Sequence, residues 1–558
     1  MYFCCVLNES WMITNGKFSV SLEVMPGVCL SDEEDIEDSR IDLARKICYE
    51  TVSPHSLCEE HGVGFKEFLD TLNPNRTRVD FESLQCFCLQ IYGKERERVK
   101  QIFSEFEGRI SLSFDIRKYE FRNATAKYIC LAAHFIDNDW KLQNWVIKYS
   151  RWNLSCPTAI TFKSLKDWGI EGKVFAFTVG RTSGAAELLK KGILNRWEGP
   201  MDNHMFHWQI SCCDVITQIV QEGYNEIAHI ISKVQLLIGF ESSHIWYATS
   251  SKLKDALKME ALGEFSSERT RREYDVPTTE EWGKVRSICR ITDRIYKIVK
   301  KLFEVERPTS NIFLPYLQEI RAFLIEESTK TDEFVKAVAK SMMQIFDEYW
   351  KDIFLVLAIG AFLDPRYKMK FIELSSPKPE DGDGEGYAET SCVLEIIRKL
   401  HGGYAVQNHQ KDYLLASSSS ESEDEENEDE KSQVHKRTKR VCCYLADSLN
   451  IRSKCHSSLQ TTEDDQSHES DLDLYLEEPI FPRTEHFSVL LWWKDNCSKY
   501  PHLSEMARDF LAIPLSVASS CEAYYSEPRE AERTVVSVKS ELMNALMCTR
   551  SWKLDCEN

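Results

Sequence analysis

Hydrophobic residues first recur at helical spacing between about residues 41 and 106. The residues before them carry little such periodicity and include the acidic stretch 32–38, so we expect a poorly ordered leader there. Pro74 interrupts the helical pattern, because proline disfavours a helical conformation in the residue before it. A small helical segment is therefore predicted before the periodicity changes.

The periodicity then changes from helical to alternating, which predicts β-strands. Such stretches occupy residues 109–115, 127–136, 140–149 and 174–179. Asp137, Asn138 and Asp139 favour a turn, so the second and third strands are predicted to form a hairpin. The fourth strand ends at Gly180 and a helix-like stretch follows over 185–193. Strands followed by helices in this order predict an α/β unit.

Amphipathic helices dominate from residue 211 to about residue 370. The clearest are predicted at Glu280–Phe303 and Asp332–Phe362. Beyond them, residues 375–386 are rich in Pro, Gly and acids, and residues 417–430 are serines followed by acids. Such segments cannot bury enough apolar surface to fold, so we predict a linker and, after it, a final unit.

Composition narrows the possible functions. The chain has 558 residues, of which 43% are hydrophobic, so more than one structural unit is expected. No apolar run of about 20 residues occurs, so we expect no membrane partner. The formal net charge of −20 repels nucleic acid unless basic residues cluster locally. The 20 cysteines are scattered, unlike those of a secreted disulfide framework, and we expect reduced thiols.

Several stretches, in order along the chain, resemble the hAT transposases of plants, of the Daysleeper and Ricesleeper type. They are FKEFLDTLNP at 65–74, RISLSFDIRKYE at 109–120, YICLAAHFIDNDWKLQNWVIKY at 128–149, FDEYWKDIFLVLAIGAFLDPRYKM at 346–369 and the stretch that begins DLDLYLEEPIFPR at 471. Their co-occurrence in one order is what makes the resemblance specific.

The resemblance implies an α/β plus α fold, in which an RNase H-like core is interrupted by a large helical insertion and followed by a C-terminal dimerisation region. Combined with the periodicity, it predicts six segments. These are a disordered leader (1–40), a helical pre-catalytic segment (41–106), RNase H-like core strands (107–210), a helical insertion with a hAT-like RNase H-fold region (211–374), a low-complexity acidic and basic linker (375–470) and the dimerisation region (471–552).

In that family two Asp and one Glu hold divalent metal such as magnesium or manganese, which needs anionic oxygen ligands. Asp115, at the end of its predicted strand, matches the first Asp. Gly180 stands where the family has its second Asp, and Glu522 matches the Glu. We interpret Asp115 and Glu522 either as remnants of an incomplete acidic triad or as ordinary strand-end and surface acids.

A second motif of the family, Cys-x-x-His, is altered as well. Ser211 and Asp214 stand at its two positions in this chain. This leaves open the alternative that Asp214 supplies the acid that is missing at Gly180.

Family members usually carry a BED zinc finger, and its ligand pattern is not visible in this sequence. Cys58 and His61 are two possible ligands, but no second pair follows at a useful distance. We therefore expect neither a zinc site nor another cofactor.

Basic residues cluster at one place after the acidic tract. The cluster contains Lys436, Arg437, Lys439 and Arg440. It predicts a nuclear localisation signal, a patch that contacts DNA phosphates, or simple charge balance. A second group, Arg269, Arg271 and Arg272, either touches a DNA backbone or faces water.

Large apolar side chains are concentrated in the final unit. They include Trp492, Trp493, Met506, Phe510, Leu511 and Ile513. The resemblance to a dimerisation region implies a homodimer, and adjacent tryptophans suit an interface anchor. The same side chains can also form the unit's own core, so both interpretations stay open.

Together these observations predict a transposase-derived nuclear protein that dimerises and no longer cuts DNA. Its DNA contacts are expected to be mainly with the backbone, and no small-molecule substrate is expected. One alternative is an active, metal-dependent hAT transposase, and another is the non-functional product of a decaying element.

Overall fold

The computed structural model describes the chain in several stretches. They are residues 81–121, 124–152, 156–180, 188–193, 207–240, 246–303, 309–375, 392–406, 470–484, 487–517 and 539–552. The predicted leader, most of the predicted pre-catalytic segment, the basic cluster at 436–440 and Glu522 lie outside these residues.

Strands and helices are numbered here in chain order. The strands are β1 (Ile110–Phe121), β2 (Ala124–Ile136), β3 (Leu142–Arg151), β4 (Val174–Val179) and β5 (His207–Ile210). The helices are α1 (Phe81–Glu105), α2 (Pro157–Trp168), α3 (Cys212–Asn225), α4 (Ala228–Ile238), α5 (Trp246–Ala261), α6 (Glu268–Glu273), α7 (Thr279–Phe303), α8 (Phe313–Ser328), α9 (Glu333–Phe362), α10 (Lys368–Ser375), α11 (Asp471–Glu477), α12 (Val489–Asn496), α13 (Pro501–Leu511) and α14 (Ser540–Ser551). Residues 188–193 and 392–406 are also helical.

The strands form one mixed sheet in the order β3-β2-β1-β4-β5. β1 pairs antiparallel with β2, and β2 antiparallel with β3. β4 pairs parallel with both β1 and β5. The predicted hairpin and the predicted strand at 174–179 are confirmed, and so is the α/β unit. The prediction that a strand ends at Asp115 is wrong, because β1 continues to Phe121.

Aromatic side chains pack one face of the sheet against α1, α2 and α14. Phe103 of α1 lies between Phe135, Trp145 and Trp168, with ring centroids 5.6–5.8 Å away. α14 comes from the far end of the chain and covers β3. Its Asn544 side chain accepts a hydrogen bond from the backbone N–H of Tyr149 at 2.9 Å. The C-terminal residues are thus part of the layer that buries the sheet.

The other face of the sheet packs against α3 and α13 and continues into the helical region. α9 begins where the sequence predicts, because the Asp332 side chain accepts hydrogen bonds from the backbone N–H groups of Phe334 and Val335. Arg290 of α7 makes a bidentate ion pair with the buried Glu327 of α8, at 2.7 and 2.6 Å. The predicted helical insertion is therefore a packed bundle joined to the sheet.

The linker predicted over 375–470 contains a helix at residues 392–406, so that part of the prediction is wrong. Val393, Ile397, Leu400 and Tyr404 are all at least 98% buried in one hydrophobic core. Their spacing of four, three and four residues is that of one helix face. The Tyr404 hydroxyl donates to Asp509 of α13 at 2.7 Å, which fixes this helix against the C-terminal region.

No helix among the described residues is long and apolar enough to cross a membrane.

Candidate functional site

The candidate site lies where the parallel part of the sheet ends. The last parallel pair between β1 and β4 is Phe114 with Val179, so Asp115 and Gly180 follow side by side. The backbone N–H of Gly180 donates to the carbonyl of Phe114 at 3.3 Å, and that of Ser211 donates to Val179 at 3.0 Å. We call Asp115, Gly180 and Ser211 the carboxyl edge of the sheet. Ligands commonly bind at such an edge in α/β folds.

Two carboxylates converge on Gly180. A Cβ atom at position 180 would lie 3.2 Å from Oδ1 of Asp115 and 3.2 Å from Oδ2 of Asp214. The two oxygens are therefore no farther apart than twice that distance. Asp115 is 4% exposed and Asp214 is 7% exposed, so both acids lie beneath the surface. The space next to a strand-end glycine is thus filled by the carboxylate of a neighbouring helix.

Asp214 reaches this position because it lies in the first turn of α3, which begins directly after β5. Its backbone N–H donates to the carbonyl of Ser211 at 3.0 Å, which closes the turn between strand and helix. The N-terminal end of a helix carries a partial positive charge, which favours a carboxylate there. β5 was missed in the sequence, because HWQI is only four residues long and mixes polar with aromatic side chains.

Among the described residues, Asp115 and Asp214 are the two carboxylates that meet at the carboxyl edge. Asp115 and Asp214 offer anionic oxygens, the ligand type that magnesium and manganese prefer. Glu522, the match to the third acid, lies outside the described residues. Two carboxylates this close repel each other unless positive charge or a shared proton offsets the repulsion. The donor set therefore fits a divalent cation in kind but not, among the described residues, in number.

Residues of the C-terminal region contact the candidate site. Leu515 accepts a hydrogen bond from the backbone N–H of Cys212 at 2.8 Å, and Cγ2 of Val517 lies 3.4 Å from the Cβ position of Gly180. Burial raises the pKa of the Cys212 thiol, and the nearby Asp214 carboxylate raises it further. The Cys212 thiol is thus buried beside Asp214 at the carboxyl edge.

The six candidate dimerisation residues have two kinds of environment. Trp493, Met506, Phe510, Leu511 and Ile513 are at most 1% exposed within the single chain, whereas Trp492 is partly exposed. The Trp493 indole N–H donates to the carbonyl of Leu363 at 2.9 Å, at the end of α9. This placement favours the core interpretation for the five buried side chains. It leaves only Trp492, of the six, with surface that a partner could reach.

Two of the three arginines in the group at 269–272 pair with acids of their own helix. Arg269 pairs with Glu273 and Arg272 pairs with Glu268, each at 3.0 Å and four residues apart on α6. All four side chains are more than half exposed. The pairing favours a solvated surface over a phosphate-binding patch. The cluster of Lys436, Arg437, Lys439 and Arg440 lies outside the described residues.

Three family models match separate parts of the chain. The model of the ZBED1 RNase-like domain matches residues 122–197. The model of the hAT-like transposase RNase-H fold matches residues 311–404, and that of the hAT family C-terminal dimerisation region matches residues 471–553. The match to residues 311–404 includes residues 392–404 of the helix at 392–406, in agreement with the packing of this helix against the core.

Whole-protein similarity extends over most of the chain. It is 28% identical over 531 residues to the zinc finger BED domain-containing protein RICESLEEPER 3 of Oryza sativa subsp. japonica, covering 88% of this chain and 67% of that protein. It is 26% identical over 530 residues to the corresponding protein DAYSLEEPER of Arabidopsis thaliana, covering 88% and 70%. A putative AC transposase of Zea mays is 25% identical over 534 residues, covering 88% and 62%.

Proposed function

Since the chain is a homologue of these plant proteins and carries the RNase-H-fold and dimerisation regions of the hAT transposase family, we propose that it is a nuclear, dimerising, DNA-binding protein that no longer cuts DNA. The observation that carries this proposal is that Gly180 provides no side chain at the carboxyl edge, where the resemblance implies a family carboxylate. A metal-dependent nuclease uses such carboxylates to hold the cations that stabilise charge in the transition state. Loss of one ligand raises the barrier by several kcal/mol.

A second function is favoured by the position of Asp214. Its carboxylate occupies the space beside Gly180 into which a side chain at that position would project. The chain would then have moved the acid from the strand end to the adjacent helix, and Asp115 and Asp214 would hold the metal with Glu522. A bound divalent cation would supply Lewis-acid charge stabilisation there. This alternative makes the chain an active metal-dependent transposase.

A strand-cleavage assay on terminal-repeat DNA, with magnesium or manganese, separates the two functions. We expect no cleavage by the wild-type chain. We also expect cleavage to appear in the double variant Gly180→Asp with Asp214→His, which restores the family's pattern at both positions. Asp214 must change together with Gly180, because an acid at 180 would otherwise crowd the Asp214 carboxylate.

The opposite result has a defined signature. Wild-type cleavage that is abolished by Asp115→Asn and also by Asp214→Asn would establish the enzyme and refute the non-cleaving protein. Asp139→Asn is the matched control, because Asp139 is an exposed acid in the turn before β3. Cleavage that survives all three substitutions would come from a contaminant.

Dimerisation is proposed to use exposed apolar side chains of the C-terminal region. Leu491 is 59% exposed and precedes the partly exposed Trp492 on α12. Light scattering of the full chain after size exclusion should give a dimer for the wild type and a monomer for Leu491→Asp. Leu262→Asp is the control, because Leu262 is 77% exposed but lies in the helical insertion. A dimer unaffected by Leu491→Asp would place the interface elsewhere.

DNA binding is proposed to rest on backbone contacts. Mobility shifts over a salt series should show affinity that falls steeply as salt rises, because phosphate contacts release counterions. Removing the charge of the basic cluster should reduce both the DNA affinity and its salt dependence. The variant replaces four residues with alanine: Lys436, Arg437, Lys439 and Arg440. Affinity that does not change with salt would contradict this mode of binding.

A further inference from the structure

Two histidines and an aspartate from three separate helices lie close together in space. None of them is near the carboxyl-edge residues in the sequence. His401 lies in the helix 392–406, Asp471 is the first residue of α11, and His502 lies in the first turn of α13. One potential ligand atom from each residue lies within 4.8 Å of the other two. Among the described residues, these are the three His, Cys, Asp or Glu side chains that lie close enough together to hold a metal ion.

The geometry of the cluster is centred on Oδ1 of Asp471. This oxygen makes a short contact with Nε2 of His401 and lies 3.6 Å from Nδ1 of His502. The two imidazole rings are nearly perpendicular, with centroids 5.8 Å apart. His401 and Asp471 are almost fully buried and His502 is one-quarter exposed, which leaves one side of the cluster open to solvent.

The remaining oxygen of Asp471 is held by the backbone. Oδ2 accepts hydrogen bonds from the N–H groups of His502 at 2.9 Å and Leu503 at 3.0 Å. These two bonds orient the carboxylate, as outer hydrogen bonds orient the ligands of metal sites.

This donor set matches zinc. Zinc takes imidazole nitrogens and carboxylate oxygens at about 2.0–2.2 Å in tetrahedral geometry, often with water at the fourth position. Ligand atoms that already lie within 4.8 Å of one another need only small side-chain shifts to reach that geometry. Three protein ligands and one open side correspond to a site with one exchangeable position.

We propose that His401, Asp471 and His502 bind one zinc ion, which fastens the helix before the acidic segment to the C-terminal region. The helix 392–406 and α11 are separated in the chain by residues 407–469. Zinc would join the two sides of this segment directly. The sequence does not reveal such a site, because its ligands are 70 and 31 residues apart rather than two to four.

The test measures zinc bound by the full chain after dialysis against zinc with a thiol-free reductant. Cysteines contribute a background that is common to all variants, so the difference from wild type is what matters. We expect wild type to hold one zinc per chain more than His502→Ala and Asp471→Asn. His229→Ala serves as the control and should match wild type, because His229 is exposed and lies on α4.

A second measurement keeps the test valid if Asp471→Asn folds poorly. His502→Ala changes the most exposed ligand, and zinc should raise the melting temperature of wild type and His229→Ala but not that of His502→Ala. Added Co²⁺ should give the visible absorption of a tetrahedral site in wild type and His229→Ala but not in His502→Ala. Asp115→Asn should retain the zinc, because Asp115 belongs to the carboxyl edge.

Equal zinc content in wild type, His502→Ala and Asp471→Asn would overturn the proposal. So would a melting temperature that zinc leaves unchanged in every variant, since the cluster would then be a hydrogen-bonded ion pair alone. Neither result depends on cleavage or DNA binding, so failure here is distinct from failure of the proposed function.

Discussion

The carboxyl edge and the C-terminal region differ in how far side chains fill the space between their elements. At the carboxyl edge the backbone pairing is intact, yet Gly180 provides no side chain next to Asp115 and Asp214. In the C-terminal region, by contrast, large side chains are buried and hydrogen-bonded. Tyr475 donates to the carbonyl of Phe362 at 3.0 Å and Trp493 to that of Leu363 at 2.9 Å.

This difference shows that the strand pairing at the carboxyl edge does not need a side chain at position 180. A carboxylate ligand at a strand end adds little to the core, so a glycine there leaves the sheet pairing unchanged. Tyr475 of α11 and Trp493 of α12 are different, because they donate hydrogen bonds to carbonyls at the end of α9 that have no partner within that helix. The packing of the C-terminal region therefore does not depend on which side chains stand at the carboxyl edge.

Of the substitutions considered, Trp493→Ala should have the largest effect on stability, because it removes a buried side chain of the C-terminal region. The substitution leaves a large cavity beside Tyr475, whose ring stacks on Trp493 at 5.6 Å, and removes the donor to Leu363. We expect a loss of about 3–5 kcal/mol of unfolding free energy, measured by chemical denaturation of the full chain. Leu491→Ala is the control and should cost less than about 0.5 kcal/mol, because this side chain is mostly exposed. Equal effects of both would show that α12 is not part of the core.

A partly buried histidine, His134 of β2, gives a second, pH-dependent prediction for the face of the sheet on which Asp115 lies. His134 of β2 hydrogen-bonds Ser113 of β1 at 2.8 Å and Asn144 of β3 at 2.7 Å. Burial lowers the pKa of His134 from 6.5 to about 4, although the bond to Asn144 opposes this change. The neutral ring is therefore the form that the folded sheet accepts.

His134 should make stability fall between pH 6.5 and pH 4. As pH falls, the imidazole of His134 is protonated near pH 6.5 in the unfolded chain but only near pH 4 in the folded chain. The contribution of His134 to stability is therefore complete above pH 6.5 and is lost as pH falls toward 4. Wild type should lose about 3 kcal/mol more than His134→Gln over this interval. Denaturation midpoints at several pH values provide the measurement. Parallel pH curves for the two proteins would contradict the prediction.

Periodicity predicted most of the sheet and the longest helices, because both patterns span many residues. β4 was predicted with its observed bounds, and Asp332 was predicted at the start of α9, where it caps the helix. β5 and the helix 392–406 were missed for different reasons. β5 is short, and the helix lies between two acidic or glycine-rich tracts whose composition dominated the prediction.

The candidate site was only partly accessible from the sequence. Gly180 and Asp115 could be assigned by matching motifs, since Asp115 lies in β1 and Gly180 directly follows β4, and both strands have a clear pattern. The approach of Asp214 to Gly180 depends on how α3 leaves β5, which only the three-dimensional packing defines. The His401, Asp471 and His502 cluster is hidden for the same reason, because its members come from distant parts of the chain.

Gly180→Ala should have the smallest effect and addresses the carboxyl edge itself. The added methyl would lie 3.2 Å from an oxygen of each aspartate and 3.4 Å from Val517, so these neighbours must shift by a few tenths of an ångström. We expect a loss of at most about 1 kcal/mol, because this strain is partly offset by the reduced entropy of the unfolded chain.

The double-mutant cycle with Asp214→Ala then measures whether Asp214 truly fills the space beside Gly180. Gly180→Ala should cost less in that background, with a coupling of at least about 0.5 kcal/mol in chemical denaturation. Gly172→Ala is the matched control, because a Cβ atom there has no neighbour within 4 Å, and its effect should not depend on Asp214. Additive effects of Gly180→Ala and Asp214→Ala would mean that the carboxylate does not occupy this space in solution. The Asp214 carboxylate could then not act together with Asp115 at the carboxyl edge.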